Sequence, residues 1–246
     1  MFSPVVTDYW HATFGGTRIL SRSESFTVAV DPGLSEDRRV MMLTASGDGM
    51  VSAVLTPSLA DALGLPDPSD CAHPLTESGF RRALTEAGVA LHGADHVFYF
   101  SEAGRQALLE QSPHEHVRRL TQADAAIFSE FESSASEQDL DDAYVELDHW
   151  AVFGAFKQNR LVTAASMYPW GNARLADIGV LTLPPFRGQG NGRSVVRASS
   201  RYAVQQGYEP QYRCQLDNEA SIALARASGF THFGTWQVVS SDSSGS

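Results

Sequence analysis

The stretch Val180–Arg193, VLTLPPFRGQGNGR, is where residue types and spacing most clearly suggest chemistry. An extended run enters Pro184-Pro185, a loop follows with Gly188, Gly190 and Gly192, and a helical pattern begins. Glycines without a Cβ let backbone N–H groups close on an anion. A helix N-terminus adds the positive end of its dipole. Arg187 and Arg193 can add charge-assisted hydrogen bonds. The expected chemistry is phosphate binding, with an ordinary glycine-rich turn before a solvated basic helix as the alternative.

Charge agrees with the first expectation. From Arg174 to Arg213 there are six arginines (174, 187, 193, 197, 201 and 213) against Asp177 and Glu209, a local positive excess inside a chain of net charge −11. Other phosphate loops fit less well. No Gly-Lys-Ser/Thr follows, as a Walker loop requires. The third glycine of a dinucleotide fingerprint, counted from Gly190, falls on Arg193.

The elements that must position this loop are readable from periodicity. Thr121–Asp124 is an acidic variant of a capping box, and Ala125, Phe128 and Phe131 share the face of the helix it opens. Strands are expected at His149–Phe156, Leu161–Met167 and Leu175–Leu183, the first two joined as a hairpin through Lys157–Arg160. A helix follows over Gly192–Gln206, a strand over Pro210–Leu216, and a helix over Asn218–Ser228 with Ala220, Ala223, Leu224 and Ala227 inward. Gly234–Val239 is expected to close that sheet. Residues Glu132–Asp148 carry seven acids and no base, and read as an acidic joint. Residues Gln111–Glu115 read as a second joint, and the Ser/Gly-rich end as a flexible tail. In the N-terminal half, Thr17–Val30 reads extended and Arg39–Thr44 as a buried strand. Short helices follow Pro57 and surround Phe80, His96–Phe100 is a strand, and Ser101 caps a helix through Leu109. No catalytic motif appears there. His92 and His96, and Asp67 and Cys71, are four apart, but without a helical metal-binding frame this carries little, and no metal is expected.

The chain's 246 residues, 43% hydrophobic and 19% charged, can bury a core, which excludes whole-chain disorder. The net charge disfavours nucleic acid and anionic membranes. Two cysteines are too few for a disulfide framework or a four-cysteine zinc site. The start lacks a leader pattern and no run is long enough to span a bilayer, so a cytoplasmic protein is expected.

Arg187-Gly-Gln-Gly-Asn-Gly192 after a strand and proline resembles motif A of the GNAT superfamily of acyl-CoA-dependent N-acyltransferases. Asn218–Phe230, an Asn-led helix ending in Gly-Phe, resembles motif B, and Val117–Asp124 resembles the family's first strand and helix start. These matches keep order and spacing from about His116 to Val239, and the arrangement most resembles the small-molecule-resistance type, such as zwittermicin-resistance acetyltransferases. The resemblance implies a GNAT fold of the α/β (α+β) class, a mixed, largely antiparallel central sheet flanked by helices. It would occupy residues 113–240, beside an additional N-terminal α/β domain over 1–112 (a degenerate GNAT-like half is one form of it), with 241–246 as tail.

It also implies how acetyl-CoA would lie. Val180, Leu181 and Thr182 would offer strand backbone to the pantetheine arm. Gly188, Gln189, Gly190, Asn191, Gly192 and Arg193 would cradle the pyrophosphate with Arg187 beside them, Asn218 would hydrogen-bond near the sulfur-bearing end, and Ser221 would be a further cofactor contact. Gly179 would mark a bulge parting this strand from the next. Something must take the amine's proton. Asp177, on the strand before motif A, is the first candidate, against a structural role paired with Arg174 or capping a turn. Glu146, with Asp148 and His149 beside it, is the second, against a solvated linker. The motif B tyrosine that often serves as general acid is replaced by Ala225, which leaves Tyr168, Tyr212 or no acid. Cys214 reads as a buried thiol rather than an acyl carrier. Tyr168, Trp170 and His149 are candidate acceptor-site residues, with Trp150 as pocket or core, and local acidity favours a cationic amine. The function expected is an acetyl-CoA-dependent N-acetyltransferase acting on a small-molecule amine by direct attack. A non-catalytic acyl-CoA-binding module, and an acyltransferase for a protein amine or a longer acyl-CoA, stay open, as does a homodimer.

Overall fold

The computed structural model describes residues 1–65, 74–112 and 115–240. Asp67, Cys71, part of the Gln111–Glu115 joint and the 241–246 tail lie outside the described residues. By its packing the chain divides into two compact units that interleave along the sequence. The smaller comprises Thr7–Val97, Cys214–Asp217 and His232–Ser246; the larger comprises Met1–Val6, Phe98–Arg213 and Asn218–Thr231.

Helix α1 (Pro4–Gly15) begins in one unit and ends in the other. In the smaller unit, β1 (Arg18–Arg22) pairs antiparallel with β2 (Phe26–Val30). β3 (Val40–Ala45) pairs antiparallel with β4 (Val51–Leu55), and β2 with β4 in parallel. Helix α2 (Pro57–Ala62) leaves β4 through Thr56, whose hydroxyl accepts from the Leu59 amide, and α3 (Glu77–Glu86) is capped in the same way by Thr76. Leu20, Phe26, Val28, Val40, Met42, Leu55, Leu59, Phe80 and Leu84 form this unit's core.

The chain passes between units within β5 (Asp95–Tyr99). In the larger unit follow α4 (Glu102–Glu110), β6 (Val117–Leu120), α5 (Ala125–Glu132), α6 (Glu137–Ala143), β7 (Ala151–Lys157), β8 (Arg160–Trp170) and β9 (Leu175–Thr182). Then come α7 (Asn191–Gln205), β10 (Glu209–Gln215) and α8 (Glu219–Ser228). Strands β6 to β9 are antiparallel neighbours in order, and β10 adds in parallel to β9. Thr121 and Asp124 form the capping box expected of them. The β7–β8 turn puts Gln158 and Asn159 at φ 47° and 64°, the left-handed pair that a tight hairpin requires. Leu120, Phe128, Phe131, Val152, Leu161, Ala164 and Leu181 pack beneath α5 and α6.

Three expectations are corrected. The acidic joint holds a helix, α6, capped by the Ser136 hydroxyl and burying no residue: Glu137, Asp141 and Asp142 face solvent, while Asp139 pairs with Arg187. The buried line of α8 is Ile222, Ala225 and Ser228, while Ala220, Ala223 and Ala227 are exposed. Alanine is small enough for either face, and the larger Ile222 decides the rotation. The last strand, β11 (Thr231–Val238), pairs antiparallel with β3, Trp236 opposite Leu43, within the smaller unit.

Candidate active site

Strands β9 and β10 pair from Leu175/Glu209 as far as Ile178/Tyr212 and no further. On its other edge β9 stays paired to β8 through Thr182. Gly179–Thr182 therefore turns one edge of its backbone into the gap where β10 has left it. The chain then makes a 3-10 turn at Pro184–Phe186 and reaches Gly188 and Gly190 at φ +72° and +80°, a region that glycine enters without steric cost. Gly190 is the N-cap of α7 and no side chain caps that end. The first amides of a helix have no intrahelical partners, so here they face outward, available to a ligand. A Cβ on Gly192 would lie 3.3 Å from Leu224 and 3.4 Å from the Thr182 hydroxyl, so glycine there lets α7 start close against β9.

The side chains of the loop mostly hold the loop itself. Buried Asn191 donates Nδ2 to the Phe186 carbonyl (3.1 Å). Gln189 donates to the Pro185 carbonyl and accepts from Lys157. Arg187 donates Nε to the Thr182 carbonyl (3.0 Å) and pairs with Asp139 of α6 (2.9 Å). Arg193 is exposed on the first turn of α7. Asn218 caps α8, its Oδ1 accepting from the Ser221 amide (3.0 Å). The backbone is thus the candidate phosphate cradle, with Arg193 beside it.

A polar cluster ringed by aromatics stands next to the gap. Asp177, 5% exposed, accepts from the Tyr168 hydroxyl (2.9 Å), from Gln211 Nε2 (2.8 Å) and from Arg213 through Nε and a terminal nitrogen at 3.1 and 2.8 Å. Gln211 in turn accepts from the Tyr99 hydroxyl. The cation paired with Asp177 is Arg213, not the Arg174 expected of a structural role, which lies over the Tyr208 ring. Glu146 is half-exposed, with Oε2 3.5 Å from His149 Nε2, and His149 Nδ1 is 2.7 Å from the Ser166 hydroxyl. The rings of Tyr144 and His149 (5.0 Å), His149 and Tyr168 (5.1 Å), Tyr144 and Tyr168 (5.5 Å) and Tyr168 and Trp170 (6.5 Å) are mutual neighbours. Arg213 sits 4.2 Å over Trp170.

Asp177, Glu146, His149, Tyr168 and Trp170 are therefore brought together, Asp177 on the strand that carries Val180–Thr182 and Tyr168 and Trp170 on its neighbour β8. Trp150 is elsewhere, packed on Tyr202 and Tyr208. Strand β9 parts from β10 after Ile178, directly ahead of Gly179, and the β8–β9 register is regular through that glycine. Glycine is needed there because a Cβ would lie 2.1 Å from the Ala143 carbonyl oxygen and 2.9 Å from that of Tyr144. As a proton donor Tyr168 is poorly suited: burial and the Asp177 charge push its pKa well above the usual tyrosine value, and its hydroxyl is given to Asp177. Ala225 is fully buried. Cys214 is an unbridged thiol that burial and Asp95 push up to about 12, far from a nucleophilic thiolate. The sequence missed Tyr144, Ser166, Gln211 and Arg213. The available signal was the alternation along β8 and β10, which puts Ser166 beside Tyr168 and Gln211 beside Arg213 on common faces.

Residues 117–230 match the family described as acetyltransferase (GNAT) family. Residues 117–230 belong to that family. The GNAT domain spans both glycine loop and polar cluster, and the family is one of acyltransferases. No curated protein matches the sequence. Among solved structures, a protein assigned to the GNAT acetyltransferase family from Novosphingobium aromaticivorans is similar in fold at TM-score 0.50 and 16% identity, over 76% of this chain and 82% of that one. A GNAT-family acetyltransferase from Colwellia psychrerythraea aligns at TM-score 0.49 and 18% identity over 66% of this chain, which spans 62% of its length. Among the described residues, no helix is long and apolar enough to cross a membrane.

Proposed function

We propose that the protein is an acetyl-CoA-dependent N-acetyltransferase that moves an acetyl group from CoA to the amine of a small molecule by direct attack, in the cytoplasm. The observation that carries this is the parting of β9 from β10 after Ile178, directly ahead of an uncapped, glycine-bounded helix N-terminus. The residues fit the cofactor. Positive φ at Gly188 and Gly190 leaves the loop free of Cβ atoms at its two sharpest points. Val180, Leu181 and Thr182 would line the pantetheine arm, Gly188–Arg193 the pyrophosphate, and Asn218, with Ser221 at the opening of α8, the cofactor's sulfur-bearing end. Acetyl-CoA supplies the activated acyl group.

Glu146 is the base of choice among the two carboxylates. Its side chain is half in water and backed by His149, whose ring Ser166 holds, so it can accept the amine's proton and return it to solvent. Asp177 has its oxygens occupied by four donor groups and serves to fix Tyr168 and Arg213. Residues 113–240 would do the transfer, with 1–112 as the additional α/β domain.

The test is a melting titration with acetyl-CoA, CoA and ATP. A ligand at a hundred times its Kd adds about 2.7 kcal/mol to the folded state. A rise with acetyl-CoA and CoA, and none with ATP, followed by amine-dependent thiol release, is the expected outcome. A rise without release on any amine would identify an acyl-CoA-binding module. No rise at millimolar acetyl-CoA removes the proposal.

A further inference from the structure

Resting on the N-acetyltransferase reading, we propose that Tyr144 binds the acceptor, and that the panel of Tyr144, Tyr168 and Trp170 selects aryl-alkyl amines over the corresponding α-amino acids. Tyr144 ends α6 at φ 46°, ψ 51°, a left-handed conformation that bulky side chains rarely adopt. Such strain persists only where its surroundings impose it, and it gathers at functional sites. The imposing contact is the approach of the Ala143–Tyr144 carbonyls to β9 at Gly179, where no Cβ would fit. The cofactor strand thus sets the place of the Tyr144 ring. That ring is not core, since Tyr144 is 52% exposed, yet its exposed position is ordered by edge contacts with His149 and Tyr168.

The panel's electrostatics choose the ligand class. Tyrosine and tryptophan faces attract an ammonium, and offset or edge contacts suit a second aromatic ring. Glu146, on the same side, adds a negative charge. The cation beside the panel, Arg213, is held bidentate by Asp177 and covers Trp170. A carboxylate on the acceptor would meet Glu146 and a cation already neutralised. An amine lacking it meets only favourable groups.

The experiment measures acetyl-CoA-dependent thiol release with 2-phenylethylamine against phenylalanine and with tryptamine against tryptophan. Each amine is expected to exceed its amino acid at least about tenfold in kcat/KM. Tyr144→Asn, which removes the ring and tolerates the left-handed backbone, is expected to raise the amine KM several-fold and keep the melting shift with acetyl-CoA. Tyr144→Phe is expected to keep the wild-type KM. Equal or better use of the amino acids overturns the proposal. So does an unchanged KM in Tyr144→Asn, or no turnover of either amine by a protein that acetyl-CoA still stabilises. Loss of that stabilisation in the wild-type protein instead sinks the N-acetyltransferase reading, and this inference with it.

Discussion

Two strand-to-helix turns, one in each compact unit, solve the same problem in opposite ways. In the smaller unit β4 passes directly to α2: Thr56 covers the helix end with its own hydroxyl and Pro57 occupies the first turn, where no N–H is needed. In the GNAT domain β9 passes to α7 through a longer path with two left-handed glycines, and the N-terminus of α7 has no side-chain cap. The first turn satisfies itself. The second leaves its amides for something else, at the cost of a cap worth about 1 kcal/mol. A turn that forgoes that stabilisation beside a gap in the sheet is a better marker of a site than glycine content alone.

Substitutions separate the roles of the two turns. The largest effect is expected at the ion pair beside the gap. Asp177→Ala strands the Arg213 cation, only 19% exposed, and should lower urea-denaturation stability by about 3 kcal/mol; a loss below 1 kcal/mol would show that water already compensates the pair. Next comes Gly190→Asp, which places a side chain at φ +80° and a negative charge in the proposed cradle. It should abolish the acetyl-CoA melting shift, equivalent to about 2.7 kcal/mol at a hundredfold excess over Kd. A retained shift would move the cofactor elsewhere.

The mirror substitution, Thr56→Ala, should cost about 1 kcal/mol of stability and leave the acetyl-CoA shift intact. A lost shift there would mean that the two turns are not separable. The smallest effect concerns the buried thiol. Cys214 titrates near 12 in the folded chain and near 8.5 unfolded, so the proton favours the folded state. Its contribution is complete below pH 8.5 and lost as pH rises towards 12. Wild-type protein should lose less than about 1 kcal/mol relative to Cys214→Ala between pH 7 and pH 9, measured by urea denaturation.

Much of the GNAT domain was legible because its signals are local. The hairpin turn at Gln158-Asn159 and the capping box of Thr121 and Asp124 each join residues four or fewer apart. The glycine loop was legible for the same reason. The smaller unit was less so: α1 and β4 lack strong patterns, since Pro4–Gly15 spreads its apolar residues and Val51–Leu55 is almost uniformly buried. Within the site, types were readable and partners were not. Asp177 stood out as a carboxylate near the loop, but its cation lies 36 residues away on a parallel strand.

The glycine loop and most strands and helices are thus legible along the chain, through periodicity and bonds closed within a turn, while the candidate carboxylates came with the family resemblance of residues 117–230. Only the tertiary structure decided that β11 joins β3, that Arg213 rather than Arg174 neutralises Asp177, and that Tyr144 is set by the missing Cβ of Gly179. These depend on which distant strands lie side by side and how closely two backbones approach. Such contacts leave no period in the chain, because their energy belongs to a pair of segments and not to either one.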